Sequence, residues 1–317
     1  MTHYHIAVLD PTKSYAKAIA KKTQETDYTI YNHKEGEQVL CLYEPHAYTD
    51  KIQSLLHTLH SADSVLWVID KVDADFAEMA LALWQLNKPG WIIFKDIDAN
   101  DIKPMLGKSP MAAWPVLDAD LNPAQMREQL MAKTPPRPET PTIVMVDACF
   151  EVRGVGTVVL GKLESGPVAV HDDLEAVPGK MRTGVRSIQV QDEDIQKAEL
   201  GSRVGLGLKG TSPDAIKRGS YLVTPGSMIG FESGKMEVGI SPLVKEGLEP
   251  ESELFFSYGL QFISVKLDNK ETIKAGTTAV VGFKLLTAAA APAGSRVLLV
   301  RTNKKPRVVG YGVLKSA

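Results

Sequence analysis

Arg153-Gly154-Val155-Gly156-Thr157-Val158-Val159-Leu160-Gly161 is the stretch on which the fold turns. Its glycines permit tight turns and bulges, and the β-branched run that follows favours a strand. Working outward from it, almost every pattern has period two. Thr142 to Phe150, Gly156 to Leu163, Leu174 to Val177, Thr183 to Val190 and Arg203 to Leu208 are strand candidates separated by Gly, Pro and Asp turns. A break falls near Thr224-Pro225-Gly226-Ser227. Beyond it come Met236 to Ile240, Leu254 to Ser257, Gln261 to Lys266, Thr277 to Leu285, Arg296 to Val300 and Arg307 to Leu314. Each set of strands is about 85–90 residues long, which suits a small barrel or sandwich.

Upstream, Thr134-Pro135-Pro136-Arg137-Pro138-Glu139-Thr140-Pro141 places four prolines in eight residues and reads as a semi-rigid linker. Before it the patterns alternate. Ile6–Leu9, Tyr28–Tyr31, Val39–Tyr43, the almost wholly apolar Ser64–Ile69, Trp91–Phe94 and Trp114–Leu117 read as strands. Helices are expected over 14–22, from Asp50 (Ile52, Leu55, Leu56 and Leu59 share a face), and near 73–87, 99–106 and 122–132. This order predicts an open α/β sheet with helices on both faces. The expected organisation is 1–133 α/β, 134–141 linker, 142–226 first barrel and 227–317 second barrel.

Of 317 residues, 44% are apolar and 23% charged, which excludes bulk disorder. No apolar run approaches the roughly 20 residues of a membrane span, and the N-terminus lacks the basic and apolar regions of a signal peptide. Cys41 and Cys149 cannot supply a disulfide framework or a four-ligand metal site. The expectation is a cytoplasmic, metal-free protein without a membrane or DNA partner. His3 and His5 alternate on what reads as an edge strand, and His57 and His60 on a partly exposed helix. Residues 1–134 carry 13 Lys/Arg against 18 Asp/Glu, and residues 135–317 carry 23 against 20. A phosphate-rich partner therefore suits the second half better.

The Arg153–Gly161 stretch, followed by Gly166, resembles the G-x-G-T-V-V-x-G-x-x-x-x-G signature that opens the second domain of translational GTPases such as EF-Tu. Val185-Arg186-Ser187-Ile188-Gln189, Gly201-Ser202-Arg203-Val204-Gly205-Leu206-Gly207-Leu208-Lys209-Gly210 and Ile216-Lys217-Arg218-Gly219 continue it in order. Arg307-Val308-Val309-Gly310-Tyr311-Gly312-Val313 resembles the closing strand of the third domain. The R-S-I-Q form is more similar to the SelB and initiation-factor branch than to EF-Tu proper, and the overall resemblance implies an archaeal paralogue. The resemblance implies α/β plus all-β architecture: a P-loop-NTPase-like G domain followed by two EF-Tu-like β-barrels. It also implies GTP with Mg²⁺ as cofactor, and tRNA or the ribosome as partner.

The nucleotide motifs depart from that pattern. Where the family has G-x-x-x-x-G-K-[ST], whose amides wrap phosphates, this chain has Asp10-Pro11-Thr12-Lys13-Ser14. Lys13 and Ser14 match the motif's end, both glycines are missing, Pro11 lacks an N–H, and Asp10 puts negative charge where phosphates would lie. At the D-x-x-G-H position stands Glu44-Pro45-His46, keeping the histidine that in the family orients water. The N-K-x-D box is Lys95-Asp96-Ile97-Asp98, with Asp98 matching the base-reading carboxylate. Asp118-Ala119 replaces Ser-Ala, and the first switch is deleted between Ser14 and Tyr28.

Lys13, Ser14 and Asp98 are thus a nucleotide-binding remnant and His46 a candidate catalytic residue. Each also has a plainer reading, as a helix-start or turn residue. Arg153, Arg182, Arg186, Lys209 and Arg218 are candidate RNA contacts in the barrel that, by resemblance, holds the 3′ end of aminoacyl-tRNA. The expected function is that of a SelB/EF-Tu-like translation factor paralogue that has lost efficient GTP binding. Two alternatives stay open: an unusual GTP-binding elongation factor, and a protein-binding regulatory or assembly factor without RNA.

Overall fold

The computed structural model describes residues 1–107, 109–133 and 136–316. Thr134 and Pro135 of the expected 134–141 linker, and Ala317 of the expected 227–317 barrel, lie outside the described residues.

The chain begins β1 (Thr2–Leu9), α1 (Tyr15–Ile19), β2 (Lys21–Glu25), β3 (Tyr28–Glu35), β4 (Gln38–Pro45), α2 (Ile52–Ser61), β5 (Ser64–Ile69), α3 (Ala74–Leu86), β6 (Gly90–Phe94), α4 (Ala99–Leu106) and α5 (Pro123–Met131). The strands form one sheet in the order β2-β3-β4-β1-β5-β6. β4, β1, β5 and β6 run parallel, and β2 and β3 add an antiparallel edge. Helix ends follow local chemistry. Asp73 caps α3 by accepting from the Asp75 and Phe76 amides, and Asn87 closes it in the left-handed region. Asn122 and Gln125 form a capping box on α5.

Three expectations need correcting. The helix expected over 14–22 stops at Ile19. Lys21–Glu25 pairs with β3 instead, since a free sheet edge outweighs weak local propensity. The expected strand Trp114–Leu117 is reduced to a single bridge, Ile92 to Val116, because Pro115 has no N–H to give. Finally, β1 is central rather than an edge, so His3 and His5 are fully buried.

β7 (Ile143–Val152), β8 (Gly156–Ser165), β9 (Val168–Ala169), β10 (Asp173–Val177), β11 (Met181–Val190), β12 (Glu193–Ile195), β13 (Lys197–Ala198), β14 (Arg203–Lys209) and β15 (Tyr221–Val223) follow. The run β10-β15-β7-β8-β14-β11 closes through the β10–β11 pairing into a first barrel. Gly154 and Gly156, at φ +81° and +86°, make the β7–β8 turn that a side chain would strain. The second barrel, β16-β19-β18-β17-β20-β21, is built from β16 (Gly230–Ile240), β17 (Leu254–Tyr258), β18 (Gln261–Leu267), β19 (Thr278–Ala290), β20 (Arg296–Val300) and β21 (Val308–Ser316).

Each barrel has its own interior, around Val159 and Leu206 in the first and Met236 and Phe256 in the second. The α/β sheet has two apolar faces. One, with Ile6, Leu40 and Val68, is covered by α1 and α5. The other, with Leu9, Val65 and Trp67, packs under α2 and α3 and continues without a break into Met145, Tyr221, Leu260, Leu298 and Val308 of the barrels.

Candidate functional site

The loop after β1 is folded around one side chain. Asp10, buried at the end of the strand, accepts hydrogen bonds from the Thr12 amide (2.9 Å), Thr12 Oγ1 (2.7 Å), the Ser14 amide (2.7 Å), Ser14 Oγ (3.3 Å) and the Tyr15 amide (3.0 Å). These are loop and helix-start N–H groups of the kind that cradle an anion, and here a carboxylate of the chain itself takes them. Ser14 Oγ is also 2.6 Å from Thr12 Oγ1. Lys13 stands at φ +50° and donates from Nζ to the His46 carbonyl at 3.2 Å. The structure therefore brings Lys13, Ser14 and His46 to one end of the sheet. His46 is half-exposed, with Nδ1 3.4 Å from Glu25 Oε2. Asp98 is exposed and caps α4 through the Asn100 amide.

Beside this loop lies a cleft of about 240 Å³ at the carboxyl ends of β1, β4 and β5. Its wall carries Asp10, Asp70, Asp73 and Asp75 against Lys13 and Lys71, and Lys71 is already paired with Asp73 at 2.8 Å. That balance repels a polyphosphate.

The α/β part is held to the barrels by buried charge. Asp63 pairs with Lys162 Nζ (2.9 Å) and Arg137 (2.5 Å), and Lys162 is 1% exposed. Burial alone raises the Asp63 carboxyl; Lys162, His5 and Arg137 override it and hold it well below the usual carboxylate range. Asp147 pairs with Arg203 at 2.5 Å and accepts from the Tyr28 hydroxyl. Asp27, at the β2–β3 turn, contacts His57 Nδ1 and Arg218, both at 2.5 Å. Burial pushes the Asp27 carboxyl up, but these partners leave it below its usual range. His57, expected to be partly exposed, is thus buried against Asp27. On the second barrel's side, Glu78 binds Arg307 and Lys305 pairs with Asp75.

The basic candidates divide. Arg182 and Arg186 project from the outer face of β11, and the Gly184–Lys209 pairing sets Lys209 between them on β14. Arg153 is exposed in the β7–β8 turn, and a Cβ on Gly156 would lie 3.5 Å from the Arg186 guanidinium. Those four share one side of the barrel. Arg218 stands apart, on Asp27 with its guanidinium 5.5 Å from the Tyr28 ring centre.

No family model matches the chain. A protein of unassigned function from Methanocaldococcus jannaschii is 29% identical over 314 residues, 98% of either chain. The selenocysteine-specific elongation factor of the same organism is 30% identical over 185 residues, 53% of this chain and 39% of its own. Elongation factor 1-alpha of Picrophilus torridus is 25% identical over 229 residues, 68% of this chain and 52% of its own. The chain thus spans between two fifths and about half of the length of those two factors. Among solved structures, elongation factor SelB from Methanococcus maripaludis with the GTP analogue GppNHp aligns with a TM-score of 0.82 at 20% identity, over 100% of this chain and 80% of that one. Its apo form gives 0.80. The chain is thus similar in sequence, over part of its length, to translation elongation factors, and it shares the fold of SelB.

Two features of this chain escape sequence reading. Phe150, on β7, is 40% exposed and pairs with Val158, whose next neighbour is Gly207, beside Ser187 and Arg186. It lies three residues ahead of Arg153, and nothing in its neighbours marks it as exposed. The charge pairs joining the α/β part to the linker and barrels carry no local signal, since their members are 74 to 230 positions apart.

Proposed function

We propose that this chain is a nucleotide-independent translation-factor-like binder, divided as 1–133, 142–226 and 227–317, whose partner is tRNA. The observation that carries the reading is Asp10: its carboxylate holds the loop and helix-start donors that an incoming phosphate would need. Lys13 is turned onto the His46 carbonyl and Ser14 onto Thr12, so the remnant residues serve the loop itself. In family members the γ-phosphate orders switches that close the G domain on the barrels. Here the closing contacts are the ion pairs Lys162–Asp63, Arg218–Asp27 and Arg307–Glu78 and a continuous apolar core, which need no nucleotide.

The RNA part of the reading rests on the side of the first barrel where Arg153, Arg182, Arg186 and Lys209 flank exposed Phe150. A cationic face with an aromatic platform suits a single-stranded end. Its natural match is the unpaired 3′ end of tRNA, the partner the family resemblance implies.

Calorimetric titration of nucleotide-stripped protein with GTP and GDP in Mg²⁺ tests the first half; no heat is expected, and saturable micromolar binding overturns it in favour of an unusual GTP-binding factor. Fluorescence anisotropy with tRNA across a salt series tests the second. Affinity falling steeply with salt is expected, and no binding at low salt would leave the barrels to a protein partner.

A further inference from the structure

The sheet face that meets the first barrel holds two imidazoles and a thiol in one buried group. His3 and His5 are two apart on β1 and so point the same way. The parallel register places Cys41 of β4 level with His5. One donor atom from each of the three lies within 4.8 Å of the other two, and all three residues are 0% exposed.

Their hydrogen bonding is uneven. His5 Nε2 is 2.6 Å from the Gly201 carbonyl, which can only accept, so Nε2 carries the proton and Nδ1 keeps a lone pair, 2.8 Å from the Tyr43 hydroxyl. A ring N–H donated to a backbone carbonyl is how metal-ligating histidines are oriented. His3 has no hydrogen-bond partner at either ring nitrogen. A buried polar group left unsatisfied is destabilising, and an orphan in a close-packed interior calls for an explanation. Cys41 is a free thiol, and burial pushes it up to about 11, so without a metal it keeps its proton.

We propose that His3, His5 and Cys41 form a binding site for one Cu(I) ion. Two imidazoles and a thiolate are soft donors. Three of them without a carboxylate suit a low-coordinate monovalent ion better than Zn²⁺, whose structural sites are four-coordinate. Charge argues the same way. The surrounding cations are Arg137, Arg203, Lys162 and the Met1 amine, while the nearby carboxylates Asp63 and Asp147 are already paired with the first three. One thiolate and Cu⁺ make a neutral unit, whereas a divalent ion leaves an extra positive charge in that interior. Binding forms Cu–S and Cu–N bonds and releases the Cys41 thiol proton to solvent. Copper enters and stays as Cu(I), so nothing is oxidised or reduced. The Tyr43 hydroxyl gives up its bond to His5 Nδ1.

The test is an anaerobic competition of the reduced full-length protein against a chromogenic Cu(I) chelator, both as purified and after refolding with Cu(I), because the site is closed in the folded chain. One equivalent bound, with near-ultraviolet thiolate-to-copper absorption, is expected. Cys41→Ser should abolish the absorption, His3→Gln should weaken binding about 100-fold or more, and Cys149→Ser should change neither. X-ray absorption on the loaded wild type, expected to show sulfur and nitrogen neighbours, keeps the question decidable if Cys41→Ser fails to fold. No copper retained after refolding, binding that survives Cys41→Ser, or displacement by Zn²⁺ would each overturn the assignment.

Discussion

Glu78 and Arg307 are 229 positions apart and joined by four hydrogen bonds: the Arg307 amide (2.7 Å) and Nε (3.0 Å) donate to Glu78 Oε1, and Nε (3.2 Å) and NH2 (2.6 Å) to Oε2. Glu78 is completely buried on α3, and Arg307 leads into β21 with its NH1 on the Asp50 carbonyl. The Tyr48 hydroxyl donates to the same carboxylate. One acidic side chain thus ties the second barrel to the α/β part and to the segment that follows β4.

Removing one partner strands the other's charge in the interior. Glu78→Gln should lower unfolding free energy by about 3–5 kcal/mol, read as a fall in the urea midpoint. The double change Glu78→Leu with Arg307→Met should recover most of that loss.

Asp10 predicts a smaller, local effect. Asp10→Ala takes the acceptor from three amides and two hydroxyls, and should cost about 0.5–2 kcal/mol, the range for losing a helix cap. Hydrogen exchange at the Ser14 and Tyr15 amides should speed up, with little change in the barrels.

The basic face gives a prediction in salt. Arg153→Ala, Arg186→Ala and Lys209→Ala should each reduce the slope of log affinity for tRNA against log salt by about 1. Phe150→Ala should weaken binding by about 1–3 kcal/mol with the slope unchanged, as loss of a stacking platform does. Arg218→Ala should leave the slope alone and lower stability, since its partner is Asp27.

Acid sensitivity should come in two windows for the metal-free protein. Burial pushes His3 down to about 4 from an ordinary 6.5, so between those values the unfolded chain takes up a proton that the folded chain refuses. Stability falls there, by about 1.4 kcal/mol per pH unit for this group. His3→Gln should make pH-dependent denaturation curves shallower between pH 6.5 and 4. Asp63 acts lower: its pairs stabilise fully above its unfolded value of 3.8, and that contribution is lost as pH falls further.

Much of the architecture was legible in the chain. The alternation from Thr142 onward marked most long barrel strands, and Ser64–Ile69 announced a buried parallel strand. β2 was not legible, because Lys21-Lys22 looks like a basic helix end until β3 offers it an edge. At the sheet's carboxyl end the negative charge of Asp10 was readable, but not the five donors gathered on it. Phe150 and the charge pairs between α/β part and barrels were hidden for one reason. Exposure and pairing across the fold are settled by which surfaces meet, and nothing in the neighbouring residues encodes that.

The apolar core that runs from Leu9 through Trp67 to Leu298 and Val308 has a consequence for synthesis. The side of the α/β sheet under α2 and α3 is completed by strands from the far end of the chain. While the ribosome still holds β20 and β21, that side stays partly uncovered, and the nascent chain is open to aggregation and to chaperones. The α/β part therefore stays incomplete until β20 and β21 have emerged and packed against it.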